Sequence, residues 1–465
     1  MCFHVDLNFR VSRKYEKLDA RLFKPRVFFI YRYWDAFVSC RTDINYQQPN
    51  VKNHHCAGSS FLRYYRMKVY MQKEDTERMI TLIRNARIIN GLGDVAENES
   101  ILFSEDGILQ VGGSVRDTDA GRVIDGTGMT VLPGFIDCHV HPAALCAEDE
   151  ITVAYRTYRD TMDLLSSGIT TLRSVGTKYN ADVRLRDMIE SGQVDGPRIK
   201  AAGQPICITC GHCEEIGIPC DTVGETLKAT RTLCKERVDW LKMMPTAGVL
   251  GVGPSTEIQL SKEQIEAVIS VGRAFATPTC AHLMNYEALK FCVEAGLTCV
   301  EHGYDIDEEI AKRMVELGTW YIPTIAVTLQ ESTFIKPTNK REEELVEKAA
   351  AAQQRVRNAA KIAIRAGVKM AVGTDTGCPF TDPAHYAYGT ELYLYSISGM
   401  APMDILKAAT IRGAELLGID GETGSLECGK CADITVISGD PLEDIENCKR
   451  VDYTFCRGKL LYHRA

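Results

Sequence analysis

Eight short apolar runs, each followed by a stretch of helical periodicity, occupy residues 133–417 and constrain this chain more than any other feature. The runs are GFIDCHVH, GITTLRSV, RIKAAGQPI, VDWLKMM, ATPTCAH, LTCVEH, WYIPTI and KMAVGTD. Between them, segments such as YRDTMDLLSSG, DVRLRDMIESG, KEQIEAVISVGRA and EEIAKRMVELG repeat apolar residues at helical spacing. Eight such units in about 285 residues predict a (β/α)8 barrel, which typically takes about 250. A doubly wound sheet is the rival, and the placement of polar residues decides between them.

The flanks read differently. Residues 79–132 and 418–465 are short alternating runs broken by Gly and Asp-Gly turns, among them ITLIRNARIINGLGD and ADITVISGDPL. Two β-rich segments at opposite ends of a chain predict one small β-sandwich domain, completed after the middle has folded. The expected fold class is therefore α/β: a TIM-like barrel over 133–417 with a small β-domain built from both flanking segments. Residues 1–78 hold 15 Lys/Arg against 8 Asp/Glu and are rich in aromatics. They carry no RNA-binding signature, helix-turn-helix pattern or apolar periodicity, so they read as a poorly ordered extension or as sequence ahead of a true start near Met79. Nucleic-acid and membrane partners are not expected: the apolar stretch from Val27 to Val38 is short and broken by Arg32 and Asp35. Eighteen irregularly spaced cysteines, with no secretion signal, point to reduced thiols and a cytoplasmic setting.

Functional residues of a barrel sit at the C-terminal ends of its strands. The first run ends in His139-Val-His141, and alternation puts both imidazoles on the face toward the barrel mouth. The fourth run ends at Lys242, the fifth at His282, the sixth at His302 and the eighth at Asp375. Four of the seven histidines beyond residue 78 thus fall at strand ends. Imidazole and carboxylate together suit Zn²⁺ and similar ions. A protonated lysine facing two cations would be repelled, so Lys242 should be neutral or modified. Reaction with CO2 would make it a carbamate whose two oxygens could bridge two metals.

With these motifs the chain resembles the amidohydrolase superfamily. The resemblance rests on PGFIDCHVH (133–141), VDWLK (238–242), AH (281–282), EHG (301–303) and GTD (373–375), and covers about residues 79–465. Within the superfamily the chain is most similar to prolidase-like and imidazolonepropionase-related metal-dependent hydrolases. The resemblance implies two divalent metal ions, with zinc as the first expectation. His139 and His141 would bind one metal and His282 and His302 the other, with carbamylated Lys242 as the bridge. Asp375 would bind metal and serve as general base and acid for a metal-activated hydroxide. The implied reaction is cleavage of a C–N amide bond in a dipeptide (Xaa-Pro-like) or an N-acyl amino acid, a small-molecule substrate. Lys242 follows the pattern of members with a strand-four lysine, which makes a cyclic-amide (imidazolone-type) hydrolase or a deaminase the alternative. A non-catalytic metal-binding scaffold is the alternative of another class. Self-association is common among such barrels, although no interface is legible here.

His212, in CITCGHC, stands where relatives carry a Gly-Gly-His-Gly loop after strand three, so it is a candidate for contact with the substrate carbonyl. Cys207, Cys210 and Cys213 of that loop could instead form a second metal or iron–sulfur site. Glu301 should turn away from the metals and support the barrel interior. Arg173 and Tyr304 are weaker candidates for a substrate carboxylate, and Glu391 and His385 could border the pocket. The charged pattern of 341–365 reads as a solvated helix face.

Overall fold

A computed structural model describes residues 79–465 except 114, 144–148, 250–252, 335–336, 338–339, 378–383 and 465. The expectation for residues 1–78 lies outside the described residues, as does any placement of the His385 side chain.

The first flank supplies Thr81–Ile89 (β1), Val95–Ser104 (β2), Gly107–Val111 (β3), Arg122–Asp125 (β4) and Met129–Pro133 (β5). The middle contributes Phe135–Val140 (β6), Ile169–Ser174 (β7), Arg198–Ala201 (β8), Ile206–Cys207 (β9), Ile218–Pro219 (β10), Leu241–Met243 (β11), Thr279–Leu283 (β12), Cys299–His302 (β13), Trp320–Ile322 (β14) and Lys369–Met370 (β15). The last flank adds Ile434–Ser438 (β16), Val451–Cys456 (β17) and Lys459–His463 (β18).

Parallel pairing links β6 to β7 to β8, and β11 through β12, β13 and β14 to β15. Two seams close the ring. Asp239 and Trp240 donate their amides to Ala201 O at 2.7 and 3.3 Å, joining β8 to the approach of β11. On the other side Cys138 donates to Val372 O at 2.8 Å, Asp375 to His139 O at 2.7 Å and His141 to Thr376 O at 2.8 Å. Those eight strands are the eight apolar runs of the sequence, and the fold is a (β/α)8 barrel with a small β-sandwich domain. The short β9 pairs with β11 and β10 with β9, and the CITCGHC loop runs from β9 toward β10.

Local chemistry starts the outer helices. Asp149 caps Glu150–Asp163, and capping boxes at Thr222/Glu225 and Ser261/Gln264 open Val223–Lys235 and Lys262–Ala274. Asn285 and Asp307 cap Tyr286–Glu294 and Glu308–Leu317. The apolar stripe of each helix covers the barrel wall, as Ile265, Val268 and Ile269 do within the main core.

In the sheet of the small domain the strand order is β18-β17-β16-β5-β1-β2-β3, with β4 beside β1. Strands β5 and β16 pair antiparallel through Val131 and Val436, so the two ends of the chain share one sheet. Phe103 meets Phe455 edge-on, with ring centroids 4.9 Å apart, in a core that includes Ile83, Ile101 and Ile434. The opposite face of β16 meets the barrel, where Thr435 Oγ1 donates to Gly168 O at 2.6 Å.

The helix Lys340–Ala366 keeps Lys340, Glu343, Glu344, Glu347 and Arg365 exposed, as expected of a solvated face, but Arg355 is an exception. Arg355 donates to both carboxylate oxygens of Asp305, at 3.0 and 2.6 Å, and to Met284 O at 2.9 Å. It therefore ties the loops after β12 and β13 together.

Candidate metal centre

His139, His141, Lys242, His282, His302 and Asp375 are all buried at the C-terminal side of the barrel strands. The ring centroids of His139 lie 5.2 Å from those of His141 and 5.0 Å from those of His302, and His282 stands 4.4 Å from His302. Asp375 Oδ1 is 3.4 Å from His139 Nε2 and 3.5 Å from His141 Nε2. Donor atoms of His139, His302 and Asp375 lie within 4.8 Å of one another, close enough to share one ion. Lys242 enters from β11, one strand over from His282.

Each imidazole has one nitrogen tied back. His139 Nδ1 meets Glu301 Oε2 at 2.6 Å, and His302 Nδ1 meets Thr324 Oγ1 at 2.7 Å. His141 Nδ1 donates to Gly176 O and His282 Nε2 to Ala247 O, each at 3.1 Å. Such partners set ring orientation and tautomer and leave the other nitrogen available as a ligand.

Asp375 has φ +59°, in the left-handed region that Asp and Asn tolerate best. Asp137 supports this turn by accepting from the amides of His139 and Thr374 and from Thr374 Oγ1. Gly377 follows with φ +106°, and a Cβ there would lie 1.9 Å from His141 O, so only glycine fits.

Burial depresses the proton affinity of His141 to about 3 and of His212 to about 4, with Lys242 lowering both further. His282 and His302 are also pushed well below the ordinary imidazole range, by burial first and then by neighbouring imidazoles and Lys242. The rings are therefore neutral near pH 7, the state a metal needs. Burial would raise Asp375, but His139, His141 and Lys242 outweigh it and hold the carboxyl well below its usual range.

Lys242 Nζ and His139 Nε2 are fully buried with no hydrogen-bond partner among the described residues. Polar atoms in that state are costly unless something else satisfies them. Neutral imidazoles, an ionised carboxylate and an unpartnered amine together fit a divalent metal centre.

His212 joins the same cluster, its ring 4.2 Å from that of His282. Its backbone amide donates to Gln259 Oε1 at 2.9 Å, which fixes the loop. The loop cysteines do not share that fate. Cys207 is buried, Cys210 exposed and Cys213 half-buried, all are free thiols, and no convergent metal-binding group of these residues occurs among the described residues.

Arg173 cannot meet a substrate carboxylate, because it is wholly buried and bound to Glu301. Tyr304 is buried with its ring 6.0 Å from that of His302. Two supports escaped sequence reasoning. Asp137 had a signal, because alternation two residues back from His139 puts it on the same face. Thr324 had none, since it reaches His302 only through the packing of β14 beside β13.

Glu391 is completely buried and caps the helix Ile325–Phe334 that follows Thr324. It accepts from the amides of Ile325 and Ala326 at 3.0 and 2.7 Å. Burial raises its carboxyl from 4.5 to about 8, despite those amides. The folded protein then binds this proton more tightly than the unfolded chain does. The stability it contributes is complete below about pH 4.5 and lost as pH rises through about 8. Melting curves of the Glu391→Gln variant should accordingly gain on wild type between pH 5 and 8.5, by about 1.4 kcal/mol per unit of displacement at most. A difference that stays flat with pH would refute the assignment.

Comparison with known proteins points to one family. The model of the amidohydrolase family matches residues 130–461. The solved structure of a Xaa-Pro dipeptidase with bound methionine in its active site superposes with a TM-score of 0.76 at 30% identity, over 83% of this chain and 100% of that one. Ochratoxinase of Aspergillus niger is 25% identical over 435 residues, covering 83% of this chain and 87% of its own. Imidazolonepropionase of Mesorhizobium japonicum is 25% identical over 403 residues, covering 76% of this chain and 90% of its own.

Proposed function

Because the chain belongs to the amidohydrolase family, a group of hydrolases acting on carbon–nitrogen bonds, we propose that it cleaves the amide bond of a dipeptide, Xaa-Pro-like, or of an N-acyl amino acid. The observation that carries the reading is Lys242, buried and without a hydrogen-bond partner among the described residues, in one cluster with four histidines and an ionised carboxylate. The likeness to a Xaa-Pro dipeptidase supports this substrate class.

His139 and His141 would hold one divalent ion and His282 and His302 a second, with Lys242, as its CO2-derived carbamate, between them. Zinc is the metal proposed. Such ions supply Lewis acidity, which acidifies water and polarises a carbonyl. Asp375 takes a proton from the attacking water at a carboxylate oxygen as the C–O bond forms. It returns that proton to the departing nitrogen as the C–N bond breaks. His212, neutral near pH 7, donates a ring N–H to the oxygen on which charge develops. No described helix is long and apolar enough to cross a membrane, and a cytoplasmic enzyme of small molecules is the setting proposed.

The test is a panel of Xaa-Pro and other dipeptides, N-acyl amino acids and imidazolone rings, read by amine release and by ring opening. Release of the amine from dipeptides or N-acyl amino acids is expected. Turnover of ring substrates alone would move the reading to an imidazolone-type hydrolase, ammonia release alone to a deaminase, and no turnover with metal bound to a scaffold.

The role of His212 has its own test. A Cβ on Gly248 would lie 2.4 Å from the His212 ring and displace it. His212→Ala is expected to lower kcat by about 10²–10³-fold, the usual cost of losing one such donor. Gly248→Ala should reproduce most of that loss, with a modest fall in melting temperature from the overpacked ring. Full activity in both variants would exclude His212 from the chemistry.

A further inference from the structure

Beneath His139 lies a chain of buried charge that no step above uses. Arg173 on β7 and Glu301 on β13 are both completely buried. Arg173 Nη2 donates to Glu301 Oε1 at 2.6 Å, its Nε donates to Cys138 O at 2.5 Å, and its guanidinium carbon stands 4.5 Å from the centre of the Trp240 ring. The other oxygen of Glu301 is the one that meets His139 Nδ1.

We propose that Arg173 and Glu301 are positioning residues that hold His139 with its proton on Nδ1 and its Nε2 lone pair aimed at the metal. The proposal rests on the metal-hydrolase reading. Its geometry is specific: with Oε1 occupied by Arg173, Oε2 is left to accept, so the imidazole must donate at Nδ1. The nitrogen that remains, Nε2, is buried and faces Asp375 Oδ1 at 3.4 Å, on the side where the metal would sit. The carbonyl of Cys138 and the Trp240 face fix the guanidinium, and its Nη2 in turn fixes the carboxylate, so the ring inherits a rigid support.

Charge balance alone does not require such a pair. The neighbouring interior positions are Ile136, Cys138, Cys280, Cys299 and Ile322, and a buried ion pair commonly gives no stability over an apolar filling. His141 and His282 rely on neutral backbone carbonyls, so His139 is the ring here with a carboxylate behind it. A carboxylate partner makes a ligating imidazole more basic as well as better oriented.

The experiment measures Zn²⁺ affinity by competition with a chelator, for wild type, Glu301→Gln and the double variant Arg173→Met/Glu301→Gln, alongside melting curves of the zinc-free proteins. The single variant strands a buried guanidinium and may be judged only if it folds; the double variant removes the pair as a unit. Zinc binding about 10–100-fold weaker in the double variant, with its fold retained, is expected. Wild-type affinity in that variant would show that the pair merely balances charge and would overturn the proposal. A second measurement needs no variant: long-range ¹H–¹⁵N spectra of histidine-labelled, zinc-free wild type at neutral pH should place the His139 proton on Nδ1. A proton on Nε2 would overturn positioning even if both variants failed to fold. Absence of zinc binding by wild type would instead refute the metal reading, leaving the tautomer spectrum to decide the role of the pair.

Discussion

Lys242→Ala is expected to abolish most hydrolysis and most metal binding while leaving the metal-free fold intact or more stable. The opposite signs follow from one fact, that Lys242 Nζ is fully buried and makes no hydrogen bond among the described residues. Removing an ordinary buried partner strands the group it bonded. This amine has no such partner among the described residues, and its loss takes away only part of the positive field that holds Asp375 ionised, which His139 and His141 still supply. In the metal-free protein its deletion relieves a desolvated polar atom, partly offset by a small cavity beside Trp240 and Cys280. In the loaded protein the same deletion removes the group proposed to join the two ions. Loss of that centre forfeits several kcal/mol of transition-state stabilisation, or roughly 10³-fold in rate. Elemental analysis of protein grown with zinc and bicarbonate should find about two metals per wild-type chain and far fewer in the variant. One metal per chain, unchanged by the substitution, would sink the bridged centre and favour a single-metal reaction.

Asp375→Asn should retain the fold and lower kcat by about 10²–10⁴-fold, the range for loss of a positioned proton carrier. Asparagine tolerates the left-handed φ of +59° as aspartate does, and the Asp137 bonds that hold this turn do not involve the side chain of 375. What changes is the oxygen pair beside His139 Nε2 and His141 Nε2: an amide keeps one weak acceptor and cannot carry the proton. Metal content and kcat measured together separate the two roles proposed for this residue. Lower kcat with metal retained identifies the proton carrier, and parallel loss of both identifies the ligand. An active variant with full metal content would exclude residue 375 from the chemistry.

Packing across the barrel redirects several charged side chains. Arginine commonly meets substrate carboxylates, yet the position of Arg173 within β7 turns it into the barrel interior. Its partner there lies 128 positions away. Arg355 sits in a stretch whose charge pattern alone describes a solvated face, but the helix lies over Asp305 and Met284. His302 and Glu301 are sequence neighbours, and simple alternation would separate them. His302 has φ +65°, which departs from extended geometry and lets both residues serve the His139 cluster from one strand.

What the sequence determined by itself was local or periodic. Short apolar runs marked all eight barrel strands, helical periodicity marked the segments between them, and the strand-end rule picked out His139, His141, Lys242, His282, His302 and Asp375. These signals act over a few residues, so a linear chain displays them. Tertiary structure alone decided the second layer: Glu301 behind His139 at a separation of 162 positions, Thr324 behind His302, Glu391 beneath the helix that follows Thr324, and Asp137 clasping Thr374. Closing the barrel brings these pairs together. Their bonds depend on which strands become neighbours and how far each side chain reaches, and neither is written in the spacing of residues along the chain.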